Sequence, residues 1–189
     1  MTRIIGGTAG GRRIRTPTGD ATRPTSDRVR EALFSSLEAT LGSLTGLRFL
    51  DLYAGSGAIG LEARSRGAGV VTCVEQDRRT AALIRDNVAT LGFTGVDVVA
   101  ASVARTLAQP PRAPYDVVFA DPPYPLPAAD VDADLRALCD HGWLADGAVV
   151  VVERGRRGDP PVWPDGVSGD RERKYGETVL WYGLAAATP

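Results

Sequence analysis

The stretch Leu47-Arg48-Phe49-Leu50-Asp51-Leu52-Tyr53 runs directly into Ala54-Gly55-Ser56-Gly57-Ala58-Ile59-Gly60, and this junction limits the available folds more than any other part of the chain. The first half is a short apolar strand. The second is a turn rich in glycine, followed by the helical Leu61-Glu62-Ala63-Arg64-Ser65-Arg66 and a further strand, Val70-Val71-Thr72-Cys73-Val74. Gly55, Gly57 and Gly60 have the spacing of a nucleotide-binding turn, in which glycines let backbone approach a ligand and let a helix pack on a strand. Glu75 then closes the unit 20 residues after Gly55, at the spacing of an acid that binds ribose hydroxyls. Taken without the strands and the acid, the glycines would suit a packing turn equally well.

The pattern continues along the chain. Strands are expected near 48–53, 70–75, 96–101, 115–120 and 147–153, alternating with helices near 57–66, 77–91, 102–108 and 130–141. Such alternation predicts an α/β fold with a doubly wound, mainly parallel sheet. Thr25 or Ser26 can cap an earlier helix from Asp27 to about Leu41, in which Val29, Leu33, Leu37 and Leu41 recur at helical spacing. Residues 3–16, with Gly6-Gly7, Gly10-Gly11 and the apolar Ile4-Ile5 and Ile14, read as a small β-hairpin. At the other end, Glu172-Arg173-Lys174-Tyr175-Gly176-Glu177 separates two strands of an antiparallel hairpin. A chain of 189 residues has room for one such domain, so residues 1–22 are read as a basic extension and 23–189 as the domain proper.

Asp51 bears on which nucleotide the turn would hold. Dinucleotides lay a pyrophosphate over a helix N-terminus, where N–H groups and the dipole favour anions. A carboxylate beside that turn repels a diphosphate and suits an ammonium group. S-adenosylmethionine carries an ammonium and no phosphate, which favours it over NAD. The second informative motif is Asp121-Pro122-Pro123-Tyr124, directly after the apolar Tyr115-Asp116-Val117-Val118-Phe119-Ala120. Two prolines fix φ and lack N–H groups, so the chain leaves the strand as a stiff loop with free carbonyl acceptors. A carboxylate, rigid carbonyls and an aromatic ring at a strand end suit the amino group of a planar base, although Asp-Pro also starts ordinary surface turns.

Asp51 to Gly60 resembles the first motif of class I S-adenosylmethionine-dependent methyltransferases, with a Rossmann-like fold. Asp121 to Tyr124 resembles the Asp/Asn-Pro-Pro-aromatic motif of those that methylate exocyclic or amide nitrogens. Near the start, Arg3-Ile4-Ile5-Gly6-Gly7, Gly11-Arg12-Arg13 and Arg23-Pro24-Thr25-Ser26-Asp27-Arg28-Val29-Arg30-Glu31-Ala32-Leu33-Phe34 resemble the RsmD family, which methylates N2 of a guanine in 16S ribosomal RNA. The likeness runs from residue 3 to about 154. It implies that Asp51, Tyr53, Ala54, Gly55, Ser56 and Gly57 hold the cofactor S-adenosyl-L-methionine, together with Glu75, Gln76, Ser102 and Asp121. It implies catalytic roles for Asp121, Pro122 and Tyr124, which would grip and stack a base extruded from its helix. Ser102 stands where such enzymes often place an Asp or Asn against the adenine amino group, and Tyr124 where relatives often have Phe.

The net charge of −1 is unevenly spread. Residues 1–30 hold seven arginines against Asp20 and Asp27, a net +5, leaving −6 for residues 31–189. A basic arm on an acidic body is the distribution expected for RNA binding, and Arg3, Arg12, Arg13, Arg15, Arg23, Arg28 and Arg30 are its candidate contacts. The alternative is a solvated tail. Lys174 is the only lysine, which leaves compositional bias as a further reason for the arginines. Cys73 and Cys139 have no metal-ligand spacing and suggest no disulfide framework, and nothing suggests a metal or a Ser-His-Asp triad. His141 reads as a helix cap or surface residue. With no signal-like or membrane-length apolar segment, a cytoplasmic protein is expected. The resemblance implies ribosomal RNA, as a 30S ribonucleoprotein, as its partner, and a monomer is expected. Rival readings are an adenine-N6 DNA methyltransferase, which would need a target-recognition domain, an NAD-dependent oxidoreductase, and a non-catalytic RNA-binding assembly factor.

Overall fold

In the computed structural model, which describes residues 1–19 and 25–187, the parallel strands form the spine of the molecule. They are β3 (Arg48–Leu52), β4 (Val70–Val74), β5 (Val96–Val99), β6 (Tyr115–Ala120) and β7 (Leu144–Gly155). With β8 (Val167–Tyr175) and β9 (Thr178–Ala185) they make a seven-stranded sheet of order β5-β4-β3-β6-β7-β9-β8, in which β9 runs antiparallel to both of its neighbours. The chain builds outward from β3 to β5 and then returns to lay β6 on the other side of β3. That reversal makes the gap between β3 and β6 the topological switch point, where ligands bind in such sheets.

Two layers of helix cover the sheet. On one face, α1 (Asp27–Leu41), α2 (Ala58–Ser65) and α3 (Arg78–Leu91) bury Val29, Leu33, Phe34, Leu37, Ile59, Ala63 and Ile84 against Phe49, Val71, Val117, Phe119, Val149 and Val151. On the other, α4 (Val103–Leu107) and α5 (Ala128–Asp140) bury Val103, Leu107, Val131, Leu135 and Leu138 against Leu50, Leu52, Val118, Ala120, Val150 and Val152. Odd and even strand positions thus serve opposite layers, which is why these strands read as continuous apolar runs. Ser26 caps α1 by accepting from the Val29 N–H, and Asp77 caps α3 by accepting from the Thr80 N–H. No helix among the described residues is long and apolar enough to cross a membrane.

The ends of the chain differ in detail from the expectation. The N-terminal hairpin is reduced to two-residue strands, β1 (Thr2–Arg3) and β2 (Arg13–Ile14), paired antiparallel. It is no loose arm: Ile4, Ala9 and Ile14 are buried against Leu61 of α2 and Leu91 of α3. The fully buried Glu62 carboxylate accepts from the Ile5 and Gly6 N–H groups, each at 2.8 Å, and from Arg66 Nε at 2.9 Å. At the C-terminal end, Glu172 to Tyr175 lie inside β8, and only Gly176 and Glu177 make the turn into β9. The strand persists because Arg171 to Tyr175 pair with Thr178 to Tyr182 across the ladder, and pairing of backbone groups overrides the polar composition.

Glu62 is the point where the N-terminal segment is fastened to the helix that follows the glycine turn. Removing its carboxylate leaves the two part-buried N–H donors of Ile5 and Gly6 and the Arg66 Nε without their acceptor, while Arg66 keeps Glu31 and Glu38. Glu62→Ala should therefore cost about 3 kcal/mol of unfolding free energy. Urea unfolding checks this, and a loss below about 1 kcal/mol would show that water replaces the carboxylate at little cost.

Candidate active site

The three strands beside the switch point carry carboxylates at or near their carboxyl ends. Phe49, Phe119 and Val151 face α1 to α3, and alternation places Asp51, Asp121 and Glu153 on that same face. Asp51 stands level with Phe119 of β6, and Leu52 level with Ala120, which in turn pairs with Val152 of β7. Asp121, the residue after β6, and Glu153, inside β7 and paired with Leu180 of β9, therefore continue in the same row as Tyr53, one residue beyond the last pairs of β3 with β6 and of β6 with β7. The glycine turn, the Asp-Pro-Pro-Tyr loop and the end of β7 converge here because β3, β6 and β7 are adjacent.

Asp51 is 1% exposed and accepts from the Gly60 N–H through Oδ2 at 2.9 Å. Burial pushes its pKa up to about 8, which the Gly60 hydrogen bond opposes and the charge of Glu75 reinforces. Gly60 is needed for this approach: a Cβ there would lie 2.7 Å from Cys73 Sγ and 3.2 Å from Asp51 Oδ2. Glu75 holds the turn from the next strand, its Oε2 accepting from the Gly55 N–H at 2.9 Å and its Oε1 from the Asp77 N–H at 2.9 Å. Gly55 itself has φ +56°, with open space where a side chain would project. Tyr53 has φ 58°, a left-handed conformation that is strained for a tyrosine and belongs with strained residues at functional turns. Its hydroxyl donates to Asp134 of α5, which ties the strained residue to the opposite layer. Neither the Tyr53 conformation nor the Asp134 contact has a signal in the sequence, since α5 shows Asp134 only as one of several acids.

Beyond β6, burial raises the Asp121 carboxyl well above the ordinary range; Glu153 and then Asp51 raise it further, and Arg154 opposes the shift. Glu153 is also raised by burial, against the hydrogen bond it accepts from Thr25 Oγ1 at 2.8 Å. Sequence reasoning missed Glu153, although an acid at the carboxyl end of an apolar strand is the signal that found Asp51 and Asp121. Pro122 is buried, while Tyr124 is 99% exposed, its ring in contact with solvent. Ser102 sits at the end of β5 and caps α4, accepting from the Arg105 N–H at 3.2 Å. Gln76 is exposed beside Glu75, and Ala54 and Ser56 form the turn itself. His141 caps α5, with Nδ1 2.6 Å from the Leu107 carbonyl. Among the described residues no group of His, Cys, Asp or Glu is placed to hold a metal.

The basic N-terminal residues separate into distinct roles. Arg30 is fully buried and donates to the Arg3 carbonyl at 2.8 Å and Asp27 Oδ1 at 2.7 Å, so its expected contact with RNA is corrected to a packing role. Arg12 donates to the Thr90 and Leu91 carbonyls at the end of α3, and exposed Arg3 pairs with Asp27. Arg13, Arg15 and Arg28 are exposed. Arg23 lies outside the described residues.

These groups fit S-adenosylmethionine. The buried Asp51 carboxyl lacks a cation and would meet the methionine ammonium, Glu75 stands at the strand end for ribose hydroxyls, and the open space at Gly55 admits close approach. Pairing Asp51 with an ammonium requires the carboxylate, so below about pH 8 a proton must leave as the cofactor binds. Affinity should fall as pH falls, approaching about tenfold per unit. The same raised pKa makes the unliganded fold lose stability as pH rises from the unfolded carboxyl's value of about 4 toward 8. Asp51→Asn should thus melt higher than the parent at pH 8 without cofactor, yet bind S-adenosylmethionine at least about tenfold more weakly. Calorimetry and thermal melts from pH 6 to 8.5 test both signs; a pH-independent affinity would remove Asp51 from the ammonium site.

A family model described as conserved hypothetical protein 95 matches residues 2–183. Ribosomal RNA small subunit methyltransferase D of Escherichia coli strain K12 is 39% identical over 177 residues, covering 94% of this chain and 86% of its own. The solved structure of yhhF from Escherichia coli superposes with a TM-score of 0.87 at 36% identity, covering 98% of each chain. Precorrin-6y C5,15-methyltransferase from Geobacter metallireducens reaches a TM-score of 0.61 at 17% identity, covering 90% of this chain and 93% of its own, a likeness of fold alone.

Proposed function

Because the chain belongs to the conserved hypothetical protein 95 family, the RsmD family of its sequence motifs, we propose that it is an S-adenosylmethionine-dependent ribosomal RNA methyltransferase acting on the exocyclic N2 of a guanine in small-subunit RNA. The substrate in this reading is an assembling 30S ribonucleoprotein in the cytoplasm. The observation that carries the chemistry is the placement of Asp121 beside Asp51 at the switch point, with the exposed Tyr124 three residues further on.

S-adenosylmethionine supplies an activated methyl group on a sulfonium. The chain's own residues have to bring a poor nucleophile into line with it. An exocyclic amine donates its lone pair into the ring, and acceptors on its two hydrogens hold the group in a geometry that frees that pair. Asp121 and the Pro122 carbonyl are those acceptors. Pro122 is buried and cannot rotate away, so the carbonyl is preorganised. Tyr124 stacks on the extruded base, which explains a large aromatic left wholly in solvent. The sulfonium charge and the N–H donors both offset the crowding of buried carboxylates. The N-terminal arginines that remain exposed, Arg13, Arg15 and Arg28, are the RNA contacts of this reading.

Asp121→Ala should lower single-turnover methylation of small ribosomal subunits by about a hundredfold or more, with S-adenosylmethionine affinity changed by no more than about threefold, because the lost contact acts on the amine in the transition state. Nucleoside analysis of the wild-type product should give N2-methylguanosine. Near-normal turnover by the variant would remove Asp121 from the chemistry.

A further inference from the structure

Glu153 has no part in the motifs that led to Asp121, yet the sheet places the two side by side. Ala120 pairs with Val152 in parallel register on strands about 4.8 Å apart, so Asp121, the first residue after β6, comes level with Glu153 of β7, and the Glu153 charge acts on the Asp121 carboxyl. Glu153 is held there from across the molecule. Thr25, just before α1, donates to its Oε2 at 2.8 Å, leaving Oε1 free of any hydrogen bond among the described residues. Two carboxylates in one half-dry row, with no lysine or arginine hydrogen-bonded to either among the described residues, call for a ligand edge that offers several N–H donors.

Purine and pyrimidine edges differ in this respect. Guanine presents its N1–H next to the N2 amino group, an unbroken run of donors. Adenine and cytosine each present one amino group next to a ring nitrogen that accepts. Against a pair of carboxylates, the second arrangement sets a lone pair against an anion and leaves an acceptor unmet.

We infer that Glu153 is a specificity-determining residue, whose carboxylate accepts the N1–H of the target guanine while Asp121 accepts from its N2 amino group, held in place by the Thr25 hydroxyl. This rests on the proposed methylation of guanine N2 and adds the group that rejects adenine. It also gives Thr25 a role apart from the helix: Ser26 caps α1, leaving the Thr25 hydroxyl for Glu153.

The test uses small-subunit RNA assembled with ribosomal proteins, carrying either guanine or 2-aminopurine at the methylated position once that position is mapped. 2-Aminopurine keeps the amino group and has an acceptor at N1. The wild type should favour guanine in kcat/KM by roughly tenfold to a hundredfold, the range of a hydrogen bond to a charged group. Glu153→Ala should bring the two substrates within about threefold of each other, mainly by slowing guanine, and Thr25→Val should give an intermediate ratio. Loss of the guanine O6 affects both enzymes alike and cancels in the comparison. Glu153→Gln, which keeps the size and an accepting oxygen, should retain much of the guanine preference and serves as the folding control. If N2-methylguanosine forms but Glu153→Ala slows both substrates equally, Glu153 has a structural role and the inference fails. A wild type that methylates both equally also overturns it. A product other than N2-methylguanosine would instead remove the reading on which the inference rests.

Discussion

Carboxylates kept out of water at the ends of adjacent strands set the terms for everything around them. A buried, unpaired anion is so unfavourable that the group keeps its proton until a partner arrives. In this chain burial raises the carboxyls of Asp51, Asp121 and Glu153, and Asp121 is raised further by the charges of Glu153 and Asp51. The surrounding scaffold must therefore be rigid enough to hold them together against that tendency. The parallel core provides this, with Phe49, Val117, Phe119, Val149 and Val151 fully packed beneath them. Stability is spent where the proposed function places a cation and an amine.

The sheet order turns three separate motifs into one site. Had β6 been added beyond β5, the Asp-Pro-Pro-Tyr loop would stand several strands from the glycine turn. Because the chain reverses at β3, the two motifs are neighbours, and β7 brings Glu153 to the next place in the row. The turn is tuned from the far side as well: Glu75 fixes the Gly55 N–H, and Asp134 takes the hydroxyl of the strained Tyr53. Asn87 adds a third support. Its amide donates to the carbonyls of Ser56 in the turn and Arg15 in the N-terminal segment, so those two stretches share one buried side chain.

Much of this is legible in the chain itself. Strands buried on both faces appear as apolar runs, and each is bounded by glycine, proline or a capping residue, so the layout from Asp27 to β7 can be read from pattern alone. Asp51 and Asp121 stand out because an acid ending such a run has no packing reason to be there. Glu153 obeys the same rule but is followed by Arg154, Arg156 and Arg157, and among those charges it reads as the start of a polar loop. Arg30 misleads in the opposite sense. Arginine in a basic stretch suggests a surface, whereas this one lies inside, fixed by the Arg3 carbonyl and Asp27, a pairing that depends on where the first residues fold back. The left-handed Tyr53 is unreadable for a related reason, since its hydroxyl is bonded to a residue 81 positions away.

The hydrogen bond from Thr25 to Glu153 spans 128 residues of sequence. Its consequence concerns synthesis. A ribosome delivers the N-terminal segment first, and Glu62 and Asn87 are available to receive it long before β7 has left the exit tunnel. The glycine turn and its supports can form on the nascent chain, but the row of acids stays incomplete until residue 153 emerges and β7 docks on β6. A chain released early would carry a formed glycine turn beside an unfinished row of acids.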